Sequence, residues 1–100
     1  MNRYYTECVP ADLARALKEK GMPIEIEGEK VWCPSYGECF DWFANKGVCI
    51  CMTCTRRAFR MALGYGYVVQ TIDKFYASEN ISRTWEKSAI RAIGQALELI

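Results

Sequence analysis

The sequence contains no histidine, and this absence removes the side chain that most often serves as a general base near neutral pH. A cysteine nucleophile therefore lacks its usual activating partner. The sequence also has no glycine-rich phosphate loop, no serine–histidine arrangement and no pair of carboxylates in a recognisable frame. It predicts no catalytic residue, no metal ligand set and no bound cofactor, and it favours a protein that is not an enzyme.

Charge of one sign and long apolar runs are scarce too. The 13 basic side chains nearly balance the 12 acidic ones, for a formal net charge of +1, so no global field attracts nucleic acid or an anionic membrane. No run approaches the ~20 apolar residues of a membrane-spanning helix, and the opening residues lack the apolar segment of a secretory signal. These features predict a cytoplasmic protein without membrane contact, in which Cys33 and Cys39 stay reduced and unbridged.

The residues that are present predict one domain over residues 1–100, with 51% hydrophobic side chains. In the first half, apolar periodicity predicts a helix over residues 9–20, and alternation predicts a short hairpin or an edge strand over residues 24–32. Ser35 and Glu38 have the spacing of a capping box, which indicates the start of a second helix.

The second half predicts three strands and a closing helix. Glycines at positions 64 and 66 suggest a bulge in the middle strand, and Ser82 is the predicted cap of the amphipathic final helix. The order of elements predicts an α+β fold, with an antiparallel sheet of about three to four strands, helices packed on one face and a closing C-terminal helix. The predicted strands span residues 48–55, 63–72 and 75–79.

Three of the six cysteines lie in "VCICMTC", residues 48–54. In a strand, Cys49 and Cys51 share one face about 6.7 Å apart, and Cys54 points to the other. No turn residue brings them together as zinc ligands, and the C-x-x-C pair lacks the helix N-terminus that activates redox cysteines. We interpret the segment as a strand buried on both faces that uses cysteine as a small apolar residue. A thiolate metal centre and a redox pair are the alternatives.

Two features are candidates for partner contact. Trp42 falls on the polar side of the second helix, as an aromatic without an obvious place in the core. Arg56, Arg57 and Arg60 surround Phe59 in a predicted loop, and such arginines hold phosphates or stack on bases.

The segments "CPSYGECFDWFANKG" and "WEKSAIRAIGQALELI" resemble a group of small proteins of unknown function from gut anaerobic bacteria, often encoded near phage or conjugative elements. Their pattern is P-[ST]-Y-x-E-x-x-D-W-[LF]-x-x-K-G, followed by strands and a helix that ends in A-L-E-L-I. The resemblance implies a stand-alone cytoplasmic α+β protein. The matching positions are Pro34, Ser35, Tyr36, Glu38, Asp41, Trp42, Phe43, Lys46 and Gly47, and then Ala96, Leu97, Glu98, Leu99 and Ile100.

The hypothesis that follows is a non-enzymatic cytoplasmic binding or accessory module. It acts by contact with an unidentified protein partner, as a monomer or homodimer. The first alternative is a weak nucleic-acid binder that uses Arg56, Arg57 and Arg60. The second is a thiolate metal-binding or redox protein.

Overall fold

The structure is a computed structural model that describes residues 6–56, 63–78 and 81–100, with the backbone alone at residues 55, 56 and 63. Within these residues the chain has the predicted α+β class, with a three-stranded antiparallel sheet, a two-stranded sheet and three helices. The helices are α1 (Ala11–Glu19), α2 (Tyr36–Asn45) and α3 (Trp85–Leu97), and the strands are β1 (Ile26–Glu27), β2 (Lys30–Val31), β3 (Cys49–Arg56), β4 (Leu63–Gln70) and β5 (Phe75–Ala77).

The start of α2 is fixed by the predicted cap. The Glu38 N–H donates to Ser35 Oγ at 3.1 Å, and the Ser35 hydroxyl lies 3.3 Å from Glu38 Oε1. The Ser35 hydroxyl therefore donates to the Glu38 carboxylate as well as accepting from the Glu38 N–H. Gly47 follows the helix with φ +84°, a left-handed conformation that favours glycine and turns the chain into β3.

The segment before α1 is held against the start of α2 by backbone hydrogen bonds. The Val9 N–H donates to the Pro34 carbonyl at 2.9 Å, and the Tyr36 N–H donates to the Glu7 carbonyl at the same distance. The α1 helix buries Ala14 and Leu17. The β1–β2 hairpin lies in its own two-stranded sheet, as the alternating sequence predicts.

The larger sheet has the order β3-β4-β5, with both pairs antiparallel. The β3–β4 register runs without interruption from Cys49 opposite Gln70 to Arg56 opposite Leu63. The predicted bulge at Gly64 and Gly66 is therefore wrong. These glycines lie in a regular ladder.

One face of this sheet is covered by α2 and α3. Residues that are partners across the strands lie on the same face, so the register assigns one common face to alternate residues of all three strands. Val69 is fully buried there and belongs to the core, with Phe43, Ile93 and other helical side chains. The partly buried members of the covered face are Ile50, Met52, Tyr65, Tyr67 and Tyr76.

The opposite face corrects the interpretation of the cysteine segment. Cys49 and Cys51 lie on this face and are exposed, and Cys54 is exposed on the other face, so β3 is not buried on both faces. The prediction failed because residues 49–52 of β3 are all apolar, so the sequence does not reveal which face the helices leave open.

The cap of α3 is Thr84, whose hydroxyl accepts from the Lys87 N–H at 3.3 Å. Ser82 was predicted for this role, and the prediction is wrong. Ser82 instead forms an isolated bridge with Tyr65, in which each N–H donates to the partner's carbonyl at 2.8 Å. The predicted amphipathic helix itself is confirmed, and its buried side includes Trp85, Ala89, Ala92, Ile93 and Ala96.

Candidate functional site: the open face of the sheet

The face of the larger sheet that α2 and α3 leave uncovered is the candidate functional site, and we name it the open face. Two rows of paired residues cross it from β3 to β5. The first row is Cys49, Gln70 and Phe75, and the second is Cys51, Val68 and Ala77. Thr53 follows Cys51 on the same face of β3, opposite Gly66.

The open face is uncharged over its described residues, and most of its side chains are apolar. Phe75 is 65% exposed, an unusual state for a phenylalanine in a small domain. Val68 is half-buried, and Cys49, Cys51 and Ala77 are exposed. A surface of this kind fits contact with another apolar surface better than contact with a charged polymer.

A tight turn connects β4 and β5 at one end of the sheet. The Thr71 N–H donates to the Lys74 carbonyl at 2.9 Å, and the Thr71 hydroxyl accepts from the Lys74 N–H at 3.1 Å and donates to Asp73 Oδ1 at 3.0 Å. These bonds hold Ile72 at the tip, where it is fully exposed. The same turn borders an open cleft of about 470 Å³ that Lys46, Val48 and Leu99 also line.

Cys49 and Cys51 form a pair of thiols on the open face. Their positions two apart in β3 confirm the prediction that they share a face and that Cys54 points to the other. Partial burial, and then the charge and hydrogen bonding of Cys49, raise the pKa of the Cys51 thiol. Both side chains are exposed and free of disulfide bonds.

The other perturbed groups are buried and lie outside the open face. Burial, and then the nearby charges of Glu38 and Cys8, raise the pKa of Cys39 to about 12. Burial and the Glu86 carboxylate raise the pKa of Tyr36 well above its usual value, and the Tyr36 hydroxyl donates to Glu86 Oε1 at 3.3 Å. Both groups are locked in their neutral forms, which suits core packing.

Trp42 lies within α2, and its side chain packs against neighbouring residues of the same helix. Its ring packs edge-on to Phe43, with ring centroids 5.0 Å apart, and Lys46 Nζ lies 4.8 Å from the ring centroid. Trp42 is half-buried and contacts the edge of the core. Its role in partner contact stays a prediction.

The predicted arginine loop cannot be placed. Arg57 and Arg60 lie outside the described residues, and for Arg56 only the backbone at the end of β3 is described. Nucleic-acid binding through these arginines stays a prediction. Cys33 and Cys39 are separate thiols, with Cys33 Sγ 3.8 Å from the Val31 carbonyl, and their reduced state stays a prediction.

Sequence reasoning missed Phe75 and Val68 as members of a surface. The signal was available in part, because alternation along each strand fixes which residues share a face. What the sequence did not give is the register that aligns Phe75 with Cys49, or the choice of face that the helices cover.

Metal-ligating clusters and membrane-spanning helices are both absent from the described residues. No group of three or more His, Cys, Asp or Glu side chains is arranged to hold a metal ion. No helix in the same residues has both the length and the apolar content needed to cross a membrane.

Comparison with known proteins adds no assignment: no protein-family model, curated protein or solved structure matches this chain. The resemblance to small proteins of gut anaerobes therefore stays a prediction. The geometry of the open face is the observation on which a functional proposal has to rest.

Proposed function

We propose that the chain is a non-enzymatic binding module that acts through protein contact, with the open face as its contact surface. The observation that carries this proposal is Phe75, which is 65% exposed on the edge strand β5, at the end of an uncharged row. Exposed aromatic residues on such surfaces are typical anchors of protein interfaces. We place the module in the cytoplasm, where its exposed thiols stay reduced.

The chemistry of the open face defines the partner. Its described residues carry no formal charge, so phosphate groups find no counter-ion on them, and nucleic acid is disfavoured there. A partner protein with an apolar, uncharged patch buries Phe75 and Val68 without stranding any charge. The partner that we propose is therefore a different protein with such a patch.

The test compares three purified forms of the full chain as baits in native lysate. Phe75→Glu places a charge at the β5 edge of the open face. Trp32→Glu is the matched control, because Trp32 is also an exposed aromatic, at 44%, but lies next to the β1–β2 hairpin. A thermal melt of each form shows that it is folded.

We expect one protein to be recovered by the wild type and by Trp32→Glu but lost with Phe75→Glu. Purified components should then reproduce the difference, with at least tenfold weaker binding for Phe75→Glu. Equal recovery by all three baits would contradict the proposal. A stable homodimer that Phe75→Glu dissociates would also contradict it, because the protein would then cover its own open face.

A further inference from the structure

We propose that Cys49 and Cys51 form a two-thiolate site for a soft, low-coordinate metal ion, with Cu(I) as the matching ion. The site lies on the same open face as the partner contact proposed above, but it needs only the two sulfur atoms of one strand. It uses residues whose chemistry the binding module does not require.

The strand presets the geometry. Because β3 is paired with β4 along its whole length, Cys49 opposite Gln70 and Cys51 opposite Val68 are held in an extended backbone. Their side chains point to the same side, so their Cα and Cβ atoms are both about 6.7 Å apart, two strand rises. Ile50, between them, is partly buried on the covered face and prevents the pair from rotating inward.

This separation disfavours a disulfide and suits a metal bridge. A disulfide requires Cβ atoms about 3.8 Å apart, which a regular strand does not provide at positions two apart. Two sulfurs on opposite sides of an ion, with metal–sulfur bonds of about 2.3 Å, are about 4.6 Å apart. Both sulfurs reach that distance when each thiol leans towards the other.

The number and kind of ligands select the ion. Zinc takes four ligands in structural sites, and no group of three or more suitable side chains occurs in the described residues. Thiolates are soft ligands that favour Cu(I), which two of them satisfy. On binding, two S–H bonds break and release two protons to solvent, and two Cu–S bonds form. The copper stays Cu(I), so no oxidant or reductant is needed.

Exposure gives the ion a path to the site. Cys49 and Cys51 are both exposed. Their partners across the sheet, Gln70 and Val68, are uncharged. Cys54 is exposed on the same strand but on the other face. It is therefore a matched control that changes the thiol count without changing the pair.

The experiment titrates the reduced full chain with Cu(I) under anaerobic conditions, in competition with a chromogenic Cu(I) chelator. The forms are wild type, Cys49→Ser, Cys51→Ser, the double variant and Cys54→Ser. We expect one tightly held Cu(I) per chain in wild type and in Cys54→Ser. We expect at least tenfold weaker binding in each single variant of the pair, and no tight copper in the double variant.

A second readout locates the metal directly. One equivalent of Cu(I) should shield Cys49 and Cys51 from an alkylating reagent, as read by peptide mass spectrometry, and should leave Cys54 reactive. Tight copper that survives in the double variant, or that is lost in Cys54→Ser, would overturn the proposal. So would one ion shared by two chains, or a preference for zinc in the same titration.

Discussion

Gly66 marks the place where side chains from both neighbouring strands approach the backbone of β4. A Cβ atom on Gly66 would lie 2.6 Å from Ser78 Oγ and 2.9 Å from Thr53 Oγ1. Ser78 cannot turn away without cost, because its hydroxyl accepts from the Tyr67 N–H at 3.1 Å. The glycine is therefore required for packing across the sheet.

Replacement of Gly66 by alanine should destabilise the fold by about 1–3 kcal/mol, because the added methyl overpacks the site or breaks the Ser78 hydrogen bond. Gly94→Ala is the control: Gly94 lies within α3 and its Cβ would meet nothing within 4 Å. That change should stabilise by up to about 1 kcal/mol. Urea unfolding measures both, and equal effects of the two changes would contradict this description of Gly66.

The raised pKa of Tyr36 predicts that the free energy of unfolding decreases at alkaline pH. Its folded-state pKa is raised by burial and by Glu86, while the unfolded value is about 10. Because the folded pKa is the higher one, the stabilising contribution is complete below pH 10 and is lost as the pH rises above that value.

The variant Tyr36→Phe should be less stable than wild type at pH 7 by about 0.5–1.5 kcal/mol, for the lost hydrogen bond to Glu86. Above pH 10 the free energy of unfolding of the variant should fall less steeply than that of the wild type. The difference between the two slopes should be up to about 1.4 kcal/mol per pH unit. Urea unfolding at pH 8 and pH 11 gives the comparison. Parallel pH profiles for the two proteins would show that Tyr36 ionises freely in the folded state.

At the scale of elements, the sequence predicts the bounds of a helix where the contacts that fix them lie between residues close in the chain. The α2 helix follows from Ser35 and Glu38, three residues apart, and its end follows from Gly47. The capping residue of α3 could not be predicted from local sequence alone. Ser82 and Thr84 are both competent cap residues in sequence, and the choice depends on a backbone bridge from Ser82 to Tyr65, which is distant in the chain.

This choice of cap makes a prediction for α3. Thr84→Ala should destabilise the protein by about 1 kcal/mol, because the Lys87 N–H loses its acceptor. Thr84→Ser keeps the hydroxyl and should be close to neutral. Thermal unfolding followed by circular dichroism measures both variants, and a neutral Thr84→Ala would show that another residue caps the helix.

At the scale of the whole molecule, the sequence predicted the class of fold and which cysteines of β3 share a face. It did not predict which face the helices cover. The covered side of β3 offers Ile50 and Met52, and the open side offers Cys49 and Cys51, so both sides are apolar. The difference arises from α2 and α3, which pack on the Val69 side.

The partner surface shows the same limit. Trp42 and the arginine loop were singled out from local character, whereas the open face exists only after β3, β4 and β5 are aligned. Phe75 alone, in a predicted short strand, has no special signal in the sequence. Phe75 becomes part of a candidate contact surface only because the sheet aligns it with Gln70 and Cys49 in one row.

The account as a whole depends on β3 presenting Cys49 and Cys51 to solvent while Cys39 lies in the core. The most direct measurement is the rate of alkylation of each cysteine in the folded, reduced protein, read by peptide mass spectrometry. We predict that Cys49 and Cys51 react in the fast phase with Cys54, and that Cys39 reacts only when the protein unfolds. Protection of Cys49 and Cys51 to the same degree as Cys39 would contradict the open face and both proposals that rest on it.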